Sequence, residues 1–197
     1  VTLSEDGTAR VWSSDGAGTP VVLRGGDGPV QTMKFSPDGD QIYVLNELTL
    51  SVTAFDYDVT TGEMEPFQTV PTLTESTKAQ ENFNSAAEIR VHPSGRFLYA
   101  SNRGHDSITA FAVQDGGKIS VVEVEPIRGS WPRNFNLDPS GRLLIAAGRD
   151  SHTAAAFSVD EQTGALTYLR QTAQVPSPIC VLFRRTPPAT DQNAAAG

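Results

Sequence analysis

A repeated β-hairpin signature constrains the fold of this chain more than any other feature of its sequence. The pattern is an apolar strand, a turn that contains Pro and Gly, and a second strand, and it occurs at 35–44, 92–99 and 138–145. Proline fixes φ at the start of such a turn, and glycine adopts the positive φ that the turn requires. The flanking β-branched and aromatic residues favour a sheet, so each copy is predicted to be an antiparallel hairpin.

A second repeated element follows each hairpin and predicts two more strands. It is a short segment that ends in Phe, at 51–55, 107–111 and 153–157, and a turn with Gly then leads into a fourth strand. The final aromatic residue recurs at intervals of 43 to 56 residues, counted between the equivalent positions Trp12, Phe55, Phe111 and Phe157. Because the same role in every repeat is a packing role, these four side chains are predicted to lie in the core.

Four strands per repeat at this spacing are typical of the blades of a β-propeller, an all-β fold. Three complete blades fit residues 27–175. Residues 1–26 supply the last three strands of another blade, and residues 176–183 supply a lone first strand. We therefore predict one domain, residues 1–183, folded as a four-bladed propeller whose N- and C-terminal strands share one blade. An open β-sandwich is the alternative, since it too is built from short strands at regular spacing.

Two segments do not follow the repeat. Residues 71–87 lengthen the connection into the second complete blade, and loops of this length in a compact domain are usually functional or mobile. Residues 184–197 are rich in Pro and Ala, and they are predicted to form a disordered tail.

The charge and the cysteine content exclude several classes of function. The chain has 15 Lys and Arg against 23 Asp and Glu, a formal net charge of −8 at pH 7. An acidic surface repels nucleic-acid phosphates and anionic lipid headgroups, so neither nucleic acid nor a membrane is a predicted partner. No apolar run reaches the length of about 18 residues that a spanning helix needs. The single Cys180 cannot form an internal disulfide, which favours the cytoplasm.

Two resemblances to known families are carried by particular motifs. Residues 6–12, Asp-Gly-Thr-Ala-Arg-Val-Trp, resemble the end of a WD-repeat blade. Residues 28–183 resemble the lactonase-type seven-bladed propellers, the family of bacterial 6-phosphogluconolactonase and carboxymuconate cyclase. The motifs that carry this second resemblance are Asn46-Glu47-Leu48, Ala87-Glu88-Ile89, Asn102-Arg103-Gly104-His105-Asp106-Ser107, Pro132-Arg133-Asn134-Phe135 and Pro176-Ser177-Pro178.

The chain departs from the lactonase pattern in two ways. It corresponds to the C-terminal half of that family, and a WD-like fragment stands in place of the N-terminal blades, so a chimera or a truncated product is predicted. The family's usual Gly-Pro-Arg-His reads here as Gly28-Pro29-Val30-Gln31. Gln31 can form hydrogen bonds but cannot carry a proton, and one cation is lost beside it.

Hydrolysis of a lactone needs a base that activates water, together with donors or cations that stabilise the oxyanion at the carbonyl. The resemblance implies that Glu47 and Glu88 are catalytic carboxylates that face the central channel. His105 titrates near neutral pH and is a further catalytic candidate, as an acid or a base. From the residues alone, a Glu in a turn can equally be a solvated surface group, and a His in a loop can simply close its own turn.

Three residues are candidates for substrate binding: Arg103, Arg133 and Asn134. A guanidinium is always charged and holds a phosphate or a carboxylate in a bidentate fork, so the two arginines suit an anionic lactone. The alternative is that they form salt bridges between blades. In WD-like blades an Asp in the corresponding turn ties neighbouring strands together, and this pattern is matched by Asp6, Asp106 and Asp150.

The sequence therefore predicts a lactonase-like propeller that is at best a weak hydrolase of a sugar lactone such as 6-phosphogluconolactone. The alternative function is a non-catalytic scaffold or binding module. Blades inherited from a seven-bladed ring fit a four-bladed ring poorly, so a tendency to form homodimers is also predicted. The three His residues are not paired at metal-ligand spacing, and neither a metal nor a cofactor is predicted.

Overall fold

Antiparallel four-stranded sheets repeat along this chain. A computed structural model describes residues 2–3, 8–11, 21–24 and 30–184. A three-stranded sheet comes first, with its strands in the order β1 (Thr2–Leu3), β2 (Thr8–Val11) and β3 (Val21–Arg24). These three strands lie where the sequence predicted the last strands of a partial blade.

Three blades follow, and in each the strands are hydrogen-bonded in chain order. Blade 1 comprises β4 (Val30–Phe35), β5 (Gln41–Asn46), β6 (Ser51–Tyr57) and β7 (Met64–Pro71). Blade 2 comprises β8 (Ser85–Val91), β9 (Phe97–Arg103), β10 (Ser107–Val113) and β11 (Ile119–Pro126). Blade 3 comprises β12 (Pro132–Leu137), β13 (Leu143–Gly148), β14 (Thr153–Val159) and β15 (Leu166–Gln174). The predicted all-β propeller class is confirmed.

The first strands of the three blades, β4, β8 and β12, are neighbours in space, and we call them the inner strands. Strand β4 packs against β8, and β8 packs against β12, while β1 lies beside β4. Helical structure is limited in the described residues to α1 (Glu75–Lys78), between blades 1 and 2, and to one 3₁₀ turn at Asp115–Gly117. Within those residues, neither helical segment is long or apolar enough to cross a membrane.

The repeated turns have the conformation that their sequences predict. The glycines of the three hairpin turns, Gly39, Gly95 and Gly141, have φ of 87°, 74° and 78°. A side chain at these values is strained, so glycine is the residue that closes such a turn at little conformational cost. The hairpin prediction is confirmed in all three blades.

The repeated aromatic residues lie in the core, as predicted. Phe55, Phe111 and Phe157 are each at most 5% exposed, and each follows a register shift between the third and fourth strands of its blade. Trp12 lies outside the described residues. One core cluster fills the space between blades 1 and 2, and another fills the space between blades 2 and 3.

Buried tyrosines link blade 1 to blade 2 and blade 2 to blade 3. The hydroxyl of Tyr43 in blade 1 donates to the carbonyl of Gly117 in blade 2 (3.0 Å), and the hydroxyl of Tyr99 in blade 2 donates to Gly164 in blade 3 (2.8 Å). The acceptor has to be glycine, since a Cβ on Gly164 would lie 2.4 Å from a ring carbon of Phe97. The equivalent residue of blade 3 is Ile145, which has no hydroxyl.

The C-terminal segment differs from its prediction. Residues 178–184 have no strand in the structure, and β1–β3 is a three-stranded sheet, so the described residues do not include the predicted pairing that closes a fourth blade. The segment lies beside β12 and is held there by side chains: the N–H of Val181 donates to Oδ1 of Asn134 (2.8 Å), and Nδ2 of Asn136 donates to the carbonyl of Val181 (3.0 Å). Pro178 has no N–H for a ladder. Of the predicted tail, residues 185–197 lie outside the described residues.

The long connection predicted at 71–87 spans residues 72–84 in the structure. Thr74 caps the N-terminus of α1 by accepting from the N–H of Thr77 (3.2 Å), and Nζ of Lys78 donates to the carbonyl of Thr49 in blade 1 (2.9 Å). The bond from Lys78 joins the loop to blade 1, and Phe83 of the same loop stacks on Trp131, just before blade 3.

We expect Tyr43→Phe to lower the free energy of unfolding by about 1 kcal/mol at pH 7, because the carbonyl of Gly117 loses its donor. Burial, and secondarily the charge of Asp38, raises the pKa of Tyr43 to about 12. The native protein is therefore destabilised as pH rises from about 10, the usual tyrosine pKa, towards 12, and the difference between the variant and the parent should shrink over that range.

Urea unfolding at pH 7 and at pH 11 measures both effects. Tyr168→Phe is the matched control, since the Tyr168 hydroxyl contacts Thr172 in its own strand and links no blades. Equal penalties for Tyr43→Phe and Tyr168→Phe would contradict a specific role for the link between blades.

Candidate active site

All three inner strands have a β-bulge near their beginning. Where each inner strand pairs with the second strand of its blade, the bulged residues have no partner in the pairing register. They are Gln31 in β4, Ala87 and Glu88 in β8, and Arg133 in β12. A bulge redirects side chains and is common beside active sites. The bulges therefore fall on residues that the lactonase resemblance singled out, and on the glutamine that replaces the family's histidine.

Each inner strand ends at the turn that joins it to the second strand of its blade, and we call this its hairpin end. Counting residues back from that end identifies equivalent positions in the three inner strands. Thr32, Glu88 and Asn134 are equivalent residues, and two positions further along are Lys34, Arg90 and Asn136. Alternate residues of a strand point to the same side, so these six side chains form two layers on one side of the inner strands. We call the first the carboxylate layer and the second the basic layer.

Glu88 is the centre of the carboxylate layer. Its side chain is 13% exposed, and its Oε2 accepts from Nδ2 of Asn134 (2.5 Å) and from Nη2 of Arg90 (3.3 Å). Its Oε1 lies 3.8 Å from Nζ of Lys34. The carboxylate thus contacts side chains from all three inner strands, and the two cations offset the cost of burying its charge.

Asn134 positions Glu88. It is 7% exposed, its amide N–H donates to Glu88, and its Oδ1 accepts the N–H of Val181. Because both ends of the amide are engaged, Asn134 orients the carboxylate and anchors the C-terminal segment. A direct contact with substrate, as the sequence predicted for Asn134, would require one of these bonds to break.

Glu47 and Arg103 form an ion pair between blades. Nη2 of Arg103 donates to Oε1 of Glu47, at the end of blade 1, and to the carbonyl of Ala86 (2.7 Å), while Arg103 itself is 8% exposed. This is the salt bridge between blades that the sequence left open as an alternative. The pair lies at the end where β5 and β9 finish and β8 begins, and it occupies both groups.

An aromatic stack lies beside this ion pair. Trp131 stacks on Phe83 with ring centroids 5.9 Å apart, and the guanidinium of Arg103 lies 5.5 Å from the Trp131 ring. Trp131 has φ of 62°, a left-handed conformation, and its N–H donates to Oδ1 of Asp106 (2.7 Å). Asp106 therefore ties blade 2 to the strand entry of blade 3, as predicted. Asp150 instead contacts the adjacent Arg149 (2.6 Å), and Asp6 lies outside the described residues.

Arg133 and His105 complete the predicted set. Arg133 is exposed at the bulge of β12, and among the described residues it has no ion pair; its N–H donates to the carbonyl of Trp131 (2.7 Å). Nδ1 of His105 contacts Oγ of Ser107 (2.8 Å), which closes the turn between β9 and β10. Of the six predicted residues, the structure brings together Glu88, Asn134 and the backbone of Arg133, and separately Glu47 and Arg103.

Lys34 and Arg90 were missed by the sequence analysis. The alternation of side chains along a strand could have identified them. Arg90 lies two residues after Glu88, on the same side of its strand, and Lys34 is the equivalent of Arg90 in β4. Both line a cavity of about 360 Å³ at the hairpin ends of the inner strands, together with Asn136, Leu182 and Phe183. No three His, Cys, Asp or Glu side chains within the described residues are grouped to hold a metal ion.

Comparisons with known proteins agree with this architecture. The sequence model of the family described as "Lactonase, 7-bladed beta-propeller" matches residues 12–183. The chain is 38% identical over 159 residues to a 6-phosphogluconolactonase of Bacillus subtilis, which covers 80% of this chain and 44% of that protein. A 6-phosphogluconolactonase of Pectobacterium carotovorum is 34% identical over 160 residues, covering 79% of this chain and 46% of its own length.

Solved structures of similar proteins have the same fold. The periplasmic gluconolactonase of Pseudomonas aeruginosa superposes with a TM-score of 0.74 at 29% identity, over 85% of this chain and 46% of that one. A protein of Bacteroides uniformis superposes with a TM-score of 0.75 at 33% identity, over 88% and 50%. The chain spans about half the length of the relatives it matches, and it belongs to the lactonase family of seven-bladed β-propellers.

Proposed function

We propose that this chain hydrolyses a sugar lactone, with Glu88 as the carboxylate that activates water. The observation that carries the proposal is the position of Glu88, a nearly buried carboxylate at the bulge of the middle inner strand, held by side chains of all three inner strands. A carboxylate in such a fixed orientation can accept a proton from water as the water attacks a carbonyl. Family membership and the named activity of the relatives from Bacillus subtilis and Pectobacterium carotovorum favour 6-phosphogluconolactone as the substrate.

The proposed reaction opens the lactone ring by attack of water on its carbonyl carbon. Glu88 takes a proton from the water, the C–O bond to the ring oxygen breaks, and that oxygen leaves as a hydroxyl when it receives this proton from Glu88, which returns to its ionised form. Arg133, exposed beside Asn134, is the proposed cation for the developing oxyanion. The products are a carboxylic acid and an alcohol, and no redox step is involved.

Glu47, Arg103 and His105 have structural roles in this proposal. The ion pair joins Oε1 of Glu47 to Nη2 of Arg103 between blades, and the bond from His105 to Ser107 closes a turn. These contacts favour the structural alternatives over the catalytic and substrate-binding roles that the resemblance implied.

We also propose a chimeric origin, a homodimer and a cytoplasmic location for this protein. The WD-like motif at 6–12 supports a chimeric origin, although the family match begins at residue 12 and so extends into the predicted WD-like fragment. The poor fit of seven-bladed geometry to a smaller ring supports a homodimer. A cytoplasmic location is favoured by the single Cys180, while the similar Pseudomonas aeruginosa protein is periplasmic.

Glu88→Gln should lower the rate of lactone hydrolysis about 10²–10⁴-fold, because the amide cannot accept the proton from water. The measurement is acid release from 6-phosphogluconolactone in a pH-stat, corrected for spontaneous hydrolysis. Glu161→Gln is the control, since Glu161 is an exposed residue in a turn of blade 3. A parent rate no higher than buffer would contradict the proposed activity, and an unchanged rate in Glu88→Gln would contradict the role of Glu88.

Glu47→Gln should lower the free energy of unfolding by about 2 kcal/mol, because Arg103 is left buried with its charge unpaired. The folded variant should hydrolyse the lactone at close to the parent rate. Chemical unfolding and the pH-stat assay together test this. If stability were unchanged while activity was lost, Glu47 would have the catalytic role instead.

Gln31→His should increase the rate about 10²-fold or more, because it supplies the proton carrier that the bulge of β4 lacks. Gln41→His, on β5 of the same blade, is the control for an added imidazole. The gain should also decline as pH falls through the pKa of the new histidine. Equal rates for the parent and Gln31→His would show that the bulge residue of β4 takes no part in the reaction.

A further inference from the structure

The cavity at the hairpin ends of the inner strands has the size and lining of a ligand site. Its volume of about 360 Å³ lies within the usual range for small-molecule sites, about 300–1,000 Å³. It is lined by residues of all three inner strands and by Leu182 and Phe183 of the C-terminal segment. Apolar walls with a few charged groups are typical of such sites.

The basic layer places two cations in this cavity. Lys34 and Arg90 occupy equivalent positions on neighbouring inner strands, and both line the cavity. Their shared carboxylate is Glu88, at 3.8 Å from Nζ of Lys34 and 3.3 Å from Nη2 of Arg90. Both distances exceed the length of about 2.7–2.9 Å that is usual for a charge-assisted hydrogen bond. One carboxylate at these distances leaves the two cations with donors to spare.

Two further observations indicate that the positive charges of Lys34 and Arg90 are incompletely paired. Nε of Arg90 is buried and has no hydrogen-bond partner in the described part of the chain. Burial lowers the pKa of Lys34, with the charge of Glu88 opposing this and that of Arg90 adding to it. An anion that enters the cavity stabilises the positive charges of both side chains, because each charge is partly removed from water.

Asp138, the acidic residue among the described lining residues, forms no ion pair with these cations. Asp138 is engaged in its own hairpin turn, where Oδ1 accepts the N–H of Leu143 (2.9 Å) and Oδ2 accepts the N–H (3.1 Å) and the hydroxyl (2.7 Å) of Ser140. Asn136 is likewise engaged, with the carbonyl of Val181. Asp138 keeps its negative charge in that turn, and Lys34 and Arg90 are the lining cations with donors free to bind an anion.

We propose that Lys34 and Arg90 form a binding site for the phosphoryl group of a small phosphorylated sugar acid, at the hairpin end of the inner strands. Arg103 and Arg133 are then not the phosphate ligands, since one is committed to Glu47 and the other lies at the opposite end of its strand. The identity of the sugar rests on the proposed function, but the anion site does not require hydrolysis. Glu88, between the basic layer and the bulges, competes with the ligand for the same two cations.

The experiment is titration calorimetry of the full chain with inorganic phosphate, 6-phosphogluconate and gluconate. We expect saturable binding of the two phosphate-bearing ligands and at least about tenfold weaker binding of gluconate. Lys34→Gln and Arg90→Gln should each weaken 6-phosphogluconate binding about tenfold or more. Arg142→Gln, at an exposed arginine in a hairpin turn of blade 3, is the control and should change it less than about threefold.

Glu88→Gln should change the affinity for phosphate in the opposite direction to Lys34→Gln and Arg90→Gln. It removes the competing carboxylate, so it should tighten phosphate binding about threefold or more while it lowers the rate of hydrolysis. A misfolded variant cannot bind more tightly, and so this result separates the site from a general loss of structure. Hydrolysis without any effect of Lys34→Gln and Arg90→Gln on binding would overturn the site and leave the proposed function standing.

Phosphate binding that depends on Lys34 and Arg90, without hydrolysis, would overturn the proposed function and leave the site standing. The site is also overturned if the parent shows no saturable binding of phosphate or 6-phosphogluconate. It is equally overturned if Arg133→Gln abolishes binding while Lys34→Gln and Arg90→Gln retain it, since the phosphate would then lie at the bulge end.

Discussion

Burial of each blade against its neighbour is the constraint on which the rest of this structure depends. A four-stranded sheet with apolar residues on both faces cannot bury them alone, so a blade is stable when other sheets cover it. In this chain the clusters between blades contain the largest buried side chains, among them Tyr43, Tyr99 and Phe135. The bond from tyrosine to glycine adds direction to that apolar contact, because it fits one orientation of each pair of blades.

The same packing produces the candidate site. Once the blades are in place, their first strands lie side by side, and residues distant in sequence become neighbours: Glu88 and Asn134 are 46 residues apart, and Lys34 is in a third blade. The bulges then turn side chains out of the ladder at the same level of every inner strand. The chemistry of the site thus follows from a repeated backbone irregularity combined with different side chains in each repeat.

Much of the fold could be predicted from the sequence, because local signals determine it. Proline and glycine in the turns, and phenylalanine at the end of each third strand, act within about ten residues of where they stand. The site was less predictable because it depends on contacts between blades. Motifs singled out Glu47 and Arg103, but predicting their mutual ion pair requires knowing which side chains meet. The lone strand predicted at 176–183 had the right composition, yet side chains of Asn134 and Asn136 hold that segment instead of a ladder.

The tyrosine link gives the row of blades a polarity. Tyr43 and Tyr99 each donate a hydrogen bond to the next blade along the chain. The acceptors are the carbonyls of Gly117 and Gly164, in the turns just before the fourth strands. A blade recombined into this row keeps the order of its neighbours if it carries both the tyrosine and the glycine. After blade 3 this rule lapses, because Ile145 offers a following sheet shape and apolar surface but no directed bond. Among the described blades, the side of blade 3 that follows it in the chain is therefore the one without a directed bond from tyrosine to glycine.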